Sequence, residues 1–226
     1  MPYYRAAPCP ACTTTAPDAD DTDTLWRLSG VSDPERLRCT LMTWNRAVPG
    51  MRAAFAAAAD WGQGKGPPFL LLSSAQRGVG KTHLAIAAAA ECIARGGAVR
   101  YLIVPQYLDA LRSTQRPDAT TRLDDARRPA ETYPALVLDD LGAGRPTDWA
   151  EEQLFTIVNE RWRRELRTFV TTNVAADAIE PRTRSRLTDA RLGRVVVGTG
   201  SDYRQHPPDP GPRSGTGSAR GPGEVR

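Results

Sequence analysis

The chain has 226 residues, with 30 Lys and Arg against 26 Asp and Glu and a formal net charge of +4. That length suits one domain or at most two, and so mild a charge permits nucleic-acid binding without requiring it. No stretch approaches the roughly eighteen apolar residues of a membrane span, the start MPYYRAAPCPAC lacks a signal-peptide pattern, and four irregularly placed cysteines make no disulfide framework. A cytoplasmic protein with no membrane partner is expected.

Residues 1–24, rich in Pro, Thr and Asp, and residues 205–226 offer too few large apolar side chains to offset their ordering entropy. Both are expected to be disordered, leaving one domain over 25–204. It opens with short helical pieces, the clearest over 51–61 (MRAAFAAAADW), ended by the Gly and Pro residues of 62–68. Residues 69–73 (FLLLS) form a continuous apolar run, which fits a strand covered on both faces. A Gly-containing loop leads to a helix over 81–95, a strand over 98–104, helices over 105–115 and 120–128, and a strand over 135–139. Asp148 and Glu151 give a capping-box-like start to a long helix in which Leu154, Ile157, Val158 and Trp162 share one face. A strand over 168–172, a helix near 182–191 and a strand over 194–197 complete the alternation. This order predicts an α/β fold with three layers and a parallel five-stranded sheet.

Residues 75–82 read AQRGVGKT directly after a strand and at the opening of a helix, where a phosphate-binding loop belongs. Backbone amides around Gly78, Val79 and Gly80 can wrap phosphates, Lys81 can reach the β and γ phosphates, and the Thr82 hydroxyl can ligate Mg²⁺. Ala75 stands where the usual first glycine would be, which costs about 1 kcal/mol or more if that residue needs φ > 0 and little otherwise. The other Gly-Lys pair, Gly64-Lys65, has no strand before it and no Ser or Thr after it. Residues 135–140 (ALVLDD) put two carboxylates at the carboxyl edge of the sheet: Asp139 to hold Mg²⁺ and Asp140 to polarise the attacking water. Asn173, ending the next strand, can orient that water or touch the γ-phosphate.

With these stations placed, the chain resembles the AAA+ ATPases, and specifically the family of DnaC-type helicase loaders and IstB-type transposition ATPases. The matching words are Gly78 to Ala85 (GVGKTHLA), Val137 to Gly142 (VLDDLG), Thr147-Asp148-Trp149-Ala150, Asn159-Glu160-Arg161, Val170-Thr171-Thr172-Asn173, Ser185-Arg186-Leu187 and Asp202-Tyr203-Arg204. The resemblance covers about 29–204 and implies a P-loop NTPase core that binds and hydrolyses ATP with Mg²⁺ as a homo-oligomer. It implies an arginine finger at Arg186, a sensor-like arginine at Arg204, and a replicative helicase or a transposase as partner. No helical lid is expected in the tail after Arg204.

The region 105–134 resembles the extra helical insertion of replication initiators and loaders. There Arg112 and Arg116 are spaced to share one helical face and offer single-stranded DNA its phosphate contacts. Arg161, Arg163, Arg164 and Arg167 form a second basic cluster, although lysine occurs only at 65 and 81 and the arginine bias looks compositional. Cys9 and Cys12 make half a zinc site by spacing, and His83 reads as a packing residue. The leading function is a DnaC-like, ATP-dependent assembly factor in DNA replication. The alternatives are an IstB-like transposition helper and a nucleotide-gated module with negligible hydrolysis, the last suggested by Ala75 and by Asp140 where many AAA+ proteins use Glu.

Overall fold

The computed structural model describes residues 19–46, 48–143, 147–200 and 202. At its centre the apolar run becomes β1 (Phe69–Ser73), with every residue buried. Phe69, Leu70, Leu71 and Leu72 each contribute roughly 1.5–3 kcal/mol by leaving water. Before β1 come α1 (Ala19–Ser29), α2 (Asp33–Arg38) and α3 (Arg52–Gly62). After it follow α4 (Lys81–Ile93), β2 (Val99–Ile103), α5 (Val104–Ser113), α6 (Leu123–Thr132), β3 (Ala135–Leu141), α7 (Asp148–Arg163), β4 (Arg167–Thr172), α8 (Pro181–Leu187) and β5 (Gly193–Val197).

The five strands lie in the order β2-β3-β4-β1-β5, and every pairing is parallel. Parallel neighbours need crossover connections, and the helices that supply them bury both faces of the sheet. Leu70, Leu72, Val137 and Phe169 pack with Trp61, Leu84 and Ile86 on one face. Phe69, Leu71, Leu136, Leu138 and Val170 pack with Ile157, Val158 and Leu187 on the other. The expected three layers are therefore present, and the carboxyl ends of β1, β3 and β4 meet at one edge.

Several boundaries differ from the sequence reading for local reasons. Helix α1 begins at Ala19, inside the segment expected to be disordered, and Trp26 and Leu25 tie it to the core. The cap of α7 is Thr147, whose hydroxyl accepts the amide of Ala150 at 3.3 Å, so Asp148 is the first helical residue. Helix α6 sits later than expected and carries Pro129 within it. Helix α8 stops at Leu187, because the chain turns where the Asp189 carbonyl takes the amides of Leu192 and Gly193. Strand β3 runs past Asp139 to Leu141 through a bulge between Leu138 and Leu141.

Candidate functional site

The loop from β1 to α4 is built on two glycines in the left-handed region, Gly78 at φ 69° and Gly80 at φ 93°. A methyl group on Gly80 would lie 2.2 Å from Trp44 Cζ3, and one on Gly78 would lie 1.7 Å from Asp202 Oδ1. Both positions thus require glycine for conformation, and at Gly80 the Trp44 ring also leaves no room for a methyl group. Val79 between them is fully buried and pins the loop. Outside glycine, the described residues with positive φ are Asp140 and Glu165, so Ala75 sits in the loop without strain.

Gly80 caps α4, whose first-turn amides have no carbonyl partner within the helix and present the positive end of its dipole. Lys81 opens that helix, nearly buried, and its Nζ donates to the carbonyls of Ser74 at 3.1 Å and Gln76 at 2.9 Å. The ammonium is therefore held within the phosphate loop itself. His83 packs as expected: its ring meets Trp44 edge-on at 5.3 Å, and its Nε2 lies 2.9 Å from the Thr40 carbonyl.

Opposite the loop, the buried Asp139 carboxylate accepts three hydroxyls. Thr82 Oγ1 donates to Oδ2 at 2.9 Å, Tyr101 Oη to Oδ2 at 2.7 Å, and Thr171 Oγ1 to Oδ1 at 2.5 Å. Asp140 has φ 62°, a strained conformation for most residues that Asp tolerates. Its amide donates to Thr171 Oγ1 at 2.9 Å, and its Oδ1 accepts the Asn173 amide. The residues fit a magnesium–nucleotide pair: a cradle of left-handed glycines and helix amides faces an ammonium, and a hydroxyl and a carboxylate supply hard oxygens in contact with each other.

Arg186 stands apart from this cluster. Its guanidinium lies 4.4 Å over the Trp162 ring, and its Nε donates to Asn159 Oδ1 at 3.0 Å. Trp162 is itself fixed by donating Nε1 to Asp189 Oδ2 at 2.9 Å, and Arg191 grips the same oxygen at 2.9 Å.

The basic clusters are not what their spacing suggested. Arg161 is wholly buried, with its guanidinium bonded to Thr168 Oγ1 and to the carbonyls of Ala130, Tyr133 and Arg167, so it bolts α7 to β4 and cannot meet DNA. Arg167 stacks on Trp61, while Arg163 and Arg164 pair with Glu160. Helix α5 ends at Ser113, so Arg116 lies in the following turn and the helical-face argument for Arg112 and Arg116 does not hold. Arg112 lies 5.0 Å over the Trp149 ring and pairs loosely with Asp109. Arg204, Cys9 and Cys12 lie outside the described residues, among which no group of three His, Cys, Asp or Glu could hold a metal.

The roles of Tyr101, Thr171 and Trp162 escaped the sequence reading. The available signal was a hydroxyl or an indole in an apolar element, a group that needs a polar partner once buried.

A parallel sheet in this order, with a phosphate loop after β1 and an acid pair late in β3, defines a P-loop NTPase of the AAA+ class. The model of the family described as IstB-like ATP binding protein matches residues 69–199, and the chain belongs to that family. It is 30% identical over 122 residues to the replicative helicase loader DnaI of Bacillus subtilis (strain 168), a match that covers 54% of this chain and 37% of the loader's length. Among solved structures, the DnaC helicase loader aligns with TM-score 0.61 at 21% identity, over 74% of this chain and 99% of that one. DnaI aligns with TM-score 0.60 at 24% identity, over 76% and 94%. AMPPCP-bound DnaA from Aquifex aeolicus aligns with TM-score 0.61 at 21% identity, over 71% and 50%. At these identities the structural matches establish the fold. Among the described residues no helix is long and apolar enough to cross a membrane.

Proposed function

We propose that this protein binds ATP with Mg²⁺, hydrolyses it between copies of itself, and uses the cycle to assemble a replicative helicase on single-stranded DNA. The observation that carries the reading is the 2.9 Å contact of Thr82 with Asp139, which joins the phosphate loop to the acidic strand end beside Lys81. Bound Mg²⁺ supplies charge neutralisation at the β and γ phosphates. Loop amides from Gly78 to Thr82 hold the phosphates, and Lys81 exchanges its carbonyl partners for phosphate oxygens. Asp140, steadied by Asn173, polarises water, and Arg186 of a neighbouring copy meets the charge that develops on the γ-phosphate. Arg204 is assigned a sensor role.

The DnaI relative supports a helicase as partner, whereas the IstB-like family match favours a second reading in which the partner is a transposase. The unstrained Ala75 removes one of the two reasons for a module without hydrolysis. The test is phosphate release by the full chain with and without single-stranded DNA, together with nucleotide affinity for wild type and Lys81→Ala. Turnover is expected in the wild type, with affinity reduced about tenfold or more in the variant. Wild-type affinity in a folded Lys81→Ala protein would remove the site.

A further inference from the structure

The Asp139 carboxylate is gripped from both sides of its strand. Tyr101 reaches it from β2 and Thr171 from β4, the two neighbours of β3 in the sheet. In register, Tyr101 faces Val137 and Ile103 faces Asp139. The Tyr101 side chain therefore leans two residues toward the carboxyl edge to place its hydroxyl 2.7 Å from Oδ2, the oxygen that Thr82 also addresses. A buried tyrosine needs some polar partner, and a strand carbonyl would serve packing equally well. Here the partner is the carboxylate assigned to the metal.

We propose that Tyr101 is a positioning residue for magnesium, holding Asp139 Oδ2 in the orientation that anchors the metal of a bound nucleotide. The inference rests on the nucleotide–Mg²⁺ reading above. A hydroxyl that lends a lone pair to a metal still has its hydrogen to donate, so Thr82 could keep Oδ2 with a metal bound, while Tyr101 and Thr171 fix one carboxylate oxygen each from the neighbouring strands. Loss of a hydrogen bond that orients a metal-binding carboxylate typically costs about ten- to a hundredfold in metal affinity.

The test is equilibrium binding of a fluorescent, non-hydrolysable ATP analogue to the full chain across a Mg²⁺ titration, for wild type, Tyr101→Phe and Asp139→Asn. Tyr101→Phe keeps the buried ring and is expected to need about tenfold more Mg²⁺ for half-maximal enhancement, with its Mg²⁺-free affinity unchanged. A wild-type Mg²⁺ dependence in Tyr101→Phe, beside a lost dependence in Asp139→Asn, overturns the positioning role and leaves the site intact. Loss of Mg²⁺-free affinity in Tyr101→Phe also overturns it, in favour of a packing role. An unchanged Mg²⁺ dependence in Asp139→Asn instead removes the metal reading of Asp139, and the inference with it.

Discussion

The Arg186 guanidinium carbon lies over the Trp162 ring, 4.4 Å from its centroid, and the group is tethered through Nε to Asn159. A guanidinium set over a ring and bonded through Nε keeps its orientation, and the Nε bond does not use the two outer nitrogens, the pair suited to an oxyanion. Asn159 and Trp162 both belong to α7, so on the proposed role across an interface the arginine would be oriented in advance, with little side-chain freedom left to lose. Arg186→Ala is accordingly expected to bind ATP normally while turnover falls by on the order of a thousandfold, as for removal of an arginine finger. Mixing it with Asp140→Asn subunits should restore activity at interfaces that pair an intact Arg186 with an intact Asp140. Absence of rescue at every mixing ratio, in oligomers shown to form, would mean that Arg186 does not act across the interface.

Asp140 combines a left-handed backbone with an amide partner, Asn173. Asn tolerates that backbone as well as Asp does, whereas a β-branched residue loses roughly 1–2 kcal/mol there. Asp140→Asn should therefore melt close to wild type and bind nucleotide, yet hydrolyse slowly, while Asp140→Val should also lose stability. Wild-type turnover in Asp140→Asn would assign the polarising role to another group.

The phosphate loop was legible because its requirements are local: glycines where φ turns positive, a lysine and a hydroxyl at fixed spacing, an apolar run before and a helix after. The strands were legible for a related reason, since burial on both faces leaves a continuous apolar word. What escaped depends on the partner strand. The extension of β3 through Leu141 follows from its pairing with Thr172 of β4, whose hydroxyl also donates to the Leu141 carbonyl at 2.7 Å, and no pattern within residues 135–141 announces it. Arg161 and Arg163 are two residues apart in an Arg-rich helix, yet one is wholly buried and the other is exposed. Only the carbonyls that α6 and β4 bring to Arg161 decide which is which.

Glu180 couples the stability of α8 to pH. Burial raises its carboxyl, but the amides of Thr183 and Arg182 and the Arg182 guanidinium outweigh that and bring it from its ordinary value of 4.5 down to about 2. A depressed folded-state pKa stabilises the fold above the unfolded value, and that stabilisation is lost as pH falls through the folded value. Wild type should therefore lose melting temperature between about pH 4.5 and pH 2 in part through Glu180, and Glu180→Gln should show a flatter dependence in that window and a lower melting temperature at pH 7. Parallel melting curves for the two proteins across the window would show that the cap carries no such coupling.

The nucleic-acid contact is expected to depend on assembly. Arg112 and Arg116 are both exposed, but so are Asp109, Asp118, Asp124 and Asp125 in the same region, so a single copy presents a field of mixed sign. Non-specific binding to single strands comes chiefly from neutralised phosphates. On the proposed function, it would become appreciable only where successive copies align their arginines along one backbone, and that alignment is expected to require ATP. Fluorescence anisotropy with a labelled oligonucleotide should show tighter binding with ATP than with ADP, weakening steeply with salt and indifferent to base sequence. Replacing Arg112 and Arg116 by Ala should lower the salt slope by about 0.7 for each phosphate that is no longer neutralised, while leaving ATP affinity unchanged. Equal affinity in the two nucleotide states, or an unchanged slope in the double variant, would remove this region from the DNA-binding surface.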